Sequence, residues 1–164
     1  DVNYRPPGYH REESNAPAEL KIVPEADGDG STEVSGETKT WHKVTLTTDG
    51  PWAHERDTDH NPFTDFSCEV KFEHESGSPS YLVPGYFAAD GNAAETSAQS
   101  GTKWRAHLSP DVDGVWKYTV SLKGPDGKDA IGNGATGEIE IEPSDKDGRD
   151  FLGRGRLKYV GKSI

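Results

Sequence analysis

The chain has 164 residues and a formal net charge of -11, with 29 Asp and Glu against 18 Lys and Arg. That length suits one domain, or one domain with a tail, and is short for a (β/α)₈ barrel, which needs about 250 residues. The acidity disfavours nucleic acid as a partner, and no run of about 18 apolar residues is present to cross a membrane as a helix.

Ile, Leu, Val and Phe make up only about 16% of the chain, a content that points towards disorder. Four Trp and six Tyr offset it, because aromatic side chains bury large areas. Residues 1–40 are therefore expected to form an extended arm, with one short strand at Leu20-Lys21-Ile22-Val23 and an acidic, Gly-rich turn from Glu25 to Ser31. A chain opening on Asp1 without a leader is expected to be a mature or trimmed product, compatible with secretion.

Period-two patterning dominates from residue 41 onward. Trp41 to Thr48 alternates, with Val44 and Leu46 on one face. Phe66, Cys68, Val70 and Phe72 form the cleanest run. Tyr81 to Phe87 is interrupted by Pro84-Gly85 and reads as an edge or bulged strand. Ala88 to Ala98 reads as a long loop with about one helical turn. Trp104/Ala106/Leu108, then Trp116/Tyr118/Val120/Leu122, then Ile139/Ile141 alternate in turn, and Leu157 and Val160 mark a last short segment. Turn signals separate these runs: Asp49-Gly50-Pro51, Ser76-Gly77-Ser78-Pro79, Asp113-Gly114 and Gly124-Pro125-Asp126-Gly127. About seven or eight short strands so punctuated predict an all-β, Ig-like antiparallel β-sandwich over residues 41–164. Leu108 to Tyr118 reads as the corner where the chain changes sheets. Cys68 has no disulfide partner within the chain and, facing inward, is expected to be an inert thiol.

Several motifs then carry a resemblance. Trp41-His42-Lys43-Val44-Thr45-Leu46, Asn61-Pro62-Phe63-Thr64-Asp65-Phe66, Val83-Pro84-Gly85-Tyr86-Phe87-Ala88-Ala89-Asp90-Gly91, Trp104-Arg105-Ala106-His107-Leu108-Ser109-Pro110 and Gly114-Val115-Trp116-Lys117-Tyr118 occur in order. They resemble the Ig-like domain of uncharacterised function found N-terminal to the catalytic barrel of bacterial glycoside hydrolases. The resemblance implies a secreted or periplasmic polysaccharide-degrading parent protein. It implies an adjacent catalytic domain reached through a linker at Gly155 to Lys162, and a polysaccharide partner, of anionic or algal type among the expected classes. The module itself is expected to be a non-catalytic accessory module, and its charge and hydropathy lead to the expectation of no nucleic-acid and no membrane partner. Its role is either to bind carbohydrate or to brace the barrel without binding sugar.

No site residue is carried over from the family, so the candidates come from residue chemistry. His54-Glu55-Arg56-Asp57-Thr58-Asp59-His60 has two His six apart between prolines, which does not fit a helical zinc motif. Paired aspartates match no calcium-loop pattern; no cofactor is expected, and a structural calcium, with Asp90-Gly91-Asn92 as contributor, is the one metal retained as an option. Glycoside hydrolysis needs two carboxyls held about 5–9.5 Å apart across a sugar cleft, and no motif selects such a pair. A sugar ring instead needs an aromatic face with a few polar groups beside it. Trp41, Trp104 and Trp116 fall in strand patterns and are expected in the core. Trp52 follows Gly50-Pro51 and is expected in a loop, where it binds a ligand, meets a neighbouring domain or covers the sandwich end. Trp52, His54, Arg56, Tyr81 and Tyr86 are the predicted carbohydrate-binding residues. A basic cluster of Lys146, Arg149, Arg154, Arg156, Lys158 and Lys162 is a weaker candidate for anionic glycans.

Overall fold

The computed structural model of the protein describes residues 21–148 and 150–155. The predicted alternation becomes eight strands among them: β1 (Thr32–Gly36), β2 (Val44–His54), β3 (Ser67–His74), β4 (Ser80–Pro84), β5 (Tyr86–Phe87), β6 (Ser100–Leu108), β7 (Gly114–Lys123) and β8 (Thr136–Ile141). Two single-turn helices, α1 (Ala93–Thr96) and α2 (Phe151–Arg154), complete the set. The strands form two antiparallel four-stranded sheets, ordered β1-β2-β6-β5 and β4-β3-β7-β8. The predicted all-β sandwich is therefore the architecture.

Period two explains which faces meet. Cys68, Val70 and Phe72 of β3 point inward beside Trp116, Tyr118, Val120 and Leu122 of β7. Val44 and Leu46 of β2 and Trp104, Ala106 and Leu108 of β6 face them from the other sheet. Trp104 and Trp116 are 2% and 0% exposed, and each indole N–H donates to a carbonyl, Pro51 O at 3.0 Å and Val112 O at 2.9 Å. Burying such rings supplies apolar area that the small aliphatic content cannot, and pairing their N–H groups avoids the penalty for a stranded donor. Burial, helped by the charge of Glu69, pushes the Cys68 thiol up to about 11.

Several expectations change. Lys21–Val23 is irregular rather than a strand, while Leu20 lies outside the described residues. The expected arm over residues 1–40 contains β1, which pairs along β2 from Thr32↔Thr48 to Gly36↔Val44. Its sequence carries a single aliphatic residue, Val34, because an edge strand needs only its backbone to join the sheet. Trp41 is only partly buried and takes a left-handed φ of 68°, where it turns the chain into β2. Tyr81 to Phe87 is two strands in different sheets, not one bulged strand. The chain crosses at Gly85, where an added Cβ would lie 2.5 Å from the Cys68 sulfur. Residues 1–20, Arg149 and 156–164, which include Leu157, Val160, Arg156, Lys158 and Lys162, lie outside the described residues.

Candidate functional site

The sandwich has two dissimilar ends. At one, β2 finishes opposite the start of β6 (His54↔Ser100) and β7 finishes opposite the start of β3 (Lys123↔Ser67). At the other, Val44 opposes Leu108 and His74 opposes Trp116.

The first end holds a cleft of about 530 Å³, within the range of small-ligand sites. Trp52 and Phe66 supply its aromatic wall, Pro24 to Asp27 one rim, and Pro125 to Ile131 the other. Each wall has a local cause. Trp52 lies in β2, not in the expected loop, because Gly50-Pro51 makes a bulge instead of a turn: the pairing with β6 slips between Asp49 and Ala53. Glycine is required there because an added Cβ would lie 2.7 Å from Leu122 and 2.8 Å from Trp104. The rim from residue 24 is strapped along β2, with Gly28 N donating to Gly50 O at 2.8 Å and Trp52 N to Asp27 Oδ1 at 2.9 Å. The opposite rim is a single 3-10 turn, Pro125–Gly127, closed by Gly124 N donating to Lys128 O at 2.8 Å. Phe66 leans on Trp104, with ring centroids 5.4 Å apart, which ties the cleft floor to the core.

Electrostatically the cleft is acidic. Glu25, Asp27, Asp57, Asp126 and Asp129 line it against Lys128 and His60. The backbone N–H of Asp59 holds the Asp57 carboxyl below its usual range, outweighing slight burial. Asp129 pairs with Lys123 outside the lining. The Trp52 Nε1 atom is buried and has no hydrogen-bond partner among the described residues.

The predicted site residues do not converge. Trp52 and His54 share the first end, with ring centroids 6.3 Å apart. His54 Nδ1 accepts from Arg56 N at 3.1 Å, so Arg56 starts the turn beside them, but neither His54 nor Arg56 lines the cleft. Tyr86 is on β5 opposite Arg105, five residues along β6 from the partner of His54, or roughly 17 Å at about 3.4 Å per residue. Its hydroxyl lies 2.9 Å from Nε2 of His107, on a face that also carries Lys43 and Arg105. Burial, then the charges of Lys43 and Arg105, lower the pKa of His107. Tyr81 is on β4 in the other sheet, stacked on Trp116 at 5.8 Å, and donates to Asp111 at 2.6 Å. It belongs to the second end. Sequence reasoning missed Phe66 and the residue 24–27 and 124–131 rims as cleft walls; the Gly-Pro-Asp-Gly turn was visible, but not what it faces.

Among the described residues no three His, Cys, Asp or Glu side chains gather as metal ligands. Asp90 is engaged within its own loop, accepting from Asn92 N at 2.8 Å and Thr96 Oγ1 at 2.6 Å.

An all-β sandwich with an open, aromatic-walled end cleft is thus the class that fold and geometry define. Residues 37–123 match the family described as "Domain of unknown function (DUF5060)", and the chain belongs to that family. No curated protein matches it. A solved structure titled as a "putative glycoside hydrolase" from Bacteroides vulgatus is similar at 20% identity and a TM-score of 0.45. The similarity covers 68% of this chain and spans 17% of the length of that one.

Proposed function

We propose that this protein is a non-catalytic, Ig-like accessory module of a secreted polysaccharide-degrading enzyme, and that it binds carbohydrate in the end cleft. The observation that carries the reading is Trp52: an aromatic wall in a cleft of about 530 Å³, with a buried indole N–H that no described residue uses. A sugar ring offers C–H faces for the indole, while the surrounding carboxylates accept from its hydroxyls.

Strand order supports the Ig-like part. Read as A, B, C, C′, D, E, F and G, strands β1 to β8 give sheets A-B-E-D and C′-C-F-G, an order found in Ig domains. The cleft then lies at the end formed by the B–C and F–G connections. The resemblance of the ordered motifs supports the accessory role.

Calorimetric titration against a panel of plant and algal polysaccharides tests the reading. Saturable binding that Trp52→Ala removes, with the fold retained, is expected; no binding to any glycan refutes the binding role. A bracing role without sugar affinity is the second reading. The exposed Phe63, Leu82 and Phe151, at 64%, 64% and 67%, favour it. Under that reading the polysaccharide panel stays silent while Leu82→Lys or Phe63→Lys weakens association with the parent's catalytic domain.

A further inference from the structure

We infer that the end cleft selects glycans carrying free amino groups and turns away uronate and sulfated glycans; this rests on the carbohydrate-binding reading of the same cleft. Shape and charge lead to it together. The aromatic wall suits one sugar ring, while the rims set carboxylates on both sides of it. Glu25 and Asp27 lie on one rim, Asp126 and Asp129 on the other, and Asp57 on the β2–β3 connection. Among the described residues neither Glu25 nor Asp126 forms an ion pair.

Recognition of an anion needs the opposite equipment. Carboxylate and sulfate groups are bound by guanidinium forks and converging backbone N–H groups. Among the described residues the cleft lining has no Arg and a single Lys, Lys128. An ammonium group on the sugar would meet two or more carboxylates at once. Each exposed pair contributes only about 0.2–1 kcal/mol, so the preference is modest, and it is screened by salt. The basic groups at Lys43, Arg105 and His107 surround Tyr86 on the outer face of the first sheet, away from the cleft, and do not offset its charge.

Titration of the chain with three oligosaccharides of equal length tests the inference: a fully deacetylated glucosamine oligomer, its N-acetylated counterpart and an oligouronate. At about pH 6, where ordinary carboxyls are ionised, the deacetylated oligomer is expected to bind about three- to tenfold more tightly than the acetylated one. That ratio is expected to shrink towards one in about 0.5 M salt. The oligouronate is expected to bind weakest of the three. Glu25→Gln with Asp126→Asn, both exposed and remote from the core, is expected to lower the ratio towards one, the deacetylated oligomer losing more affinity than the acetylated one. Equal or tighter binding of the acetylated oligomer, or of the oligouronate, overturns the inference and leaves the cleft a glycan site if Trp52→Ala still abolishes binding. Failure of all three ligands to bind overturns the inference, whereas the underlying reading falls only if the polysaccharide panel is silent as well.

Discussion

The two ends of the sandwich use the same kinds of residue to opposite effect. At the second end Tyr81, Trp116 and His74 are each engaged within the fold. Tyr81 stacks on Trp116 and donates to Asp111, Trp116 Nε1 donates to Val112 O, and His74 bridges Ser76 Oγ at 2.8 Å and Asp113 O at 2.9 Å. At the first end the sheet is bulged, two loops stand apart, and the buried Trp52 Nε1 has no hydrogen-bond partner among the described residues. An aromatic whose polar atom is satisfied inside the fold is cement. One whose ring lines an open cleft is, on the proposed reading, a contact for an occupant.

Mutations can break or sharpen that contrast, and the largest effect is expected between the ends. Val70 is 2% exposed, and Val70→Asp places an unpaired carboxylate between the sheets. A loss of about 4 kcal/mol or more in urea unfolding is expected; retained cooperative melting near the original temperature contradicts the inward assignment. At the sealed end, Trp116→Ala is expected to cost about 3–5 kcal/mol by the same measurement.

Alkaline titration probes the core without mutation. The Cys68 pKa is raised from 9.0 to about 11 on folding. The unfolded thiol ionises first, so this contribution is whole below pH 9.0 and is lost as pH climbs towards about 11. Cys68→Ala should flatten that part of the stability curve. Thiol labelling at neutral pH should proceed only as fast as the protein opens.

Smaller differences separate the tryptophans. Trp104→Phe deletes a donor and strands Pro51 O, with an expected cost of about 1–3 kcal/mol. Trp52→Phe removes no hydrogen bond and should change stability by about 0.5 kcal/mol or less, while weakening glycan binding. Equal losses at both positions would contradict the distinction between sealed and open ends.

Much of the fold was legible because alternation is local. The inner faces of β3, β6 and β7 follow from Cys68/Val70/Phe72, Trp104/Ala106/Leu108 and Trp116/Tyr118/Val120/Leu122 without any knowledge of partners. The site was legible only at Trp52. Gly50-Pro51 has the chemistry of a turn, and what makes it a bulge is its contact with Leu122 and Trp104, far away in sequence. Tyr81 and Tyr86 are near neighbours along the chain, yet the crossing at Gly85 sends them to different sheets. β1 was invisible because Thr32 and Gly36 join an edge through backbone pairing, which leaves no hydrophobic rhythm.

The side-chain N–H resonances of the four tryptophans give the most direct test of the central claim. On addition of a bound glycan, the account predicts that the Trp52 signal moves, as a sugar packs against its ring, while those of Trp104 and Trp116 stay in place. Movement of the Trp104 or Trp116 signals with Trp52 unmoved, or no movement of Trp52 on addition of any glycan, would contradict it.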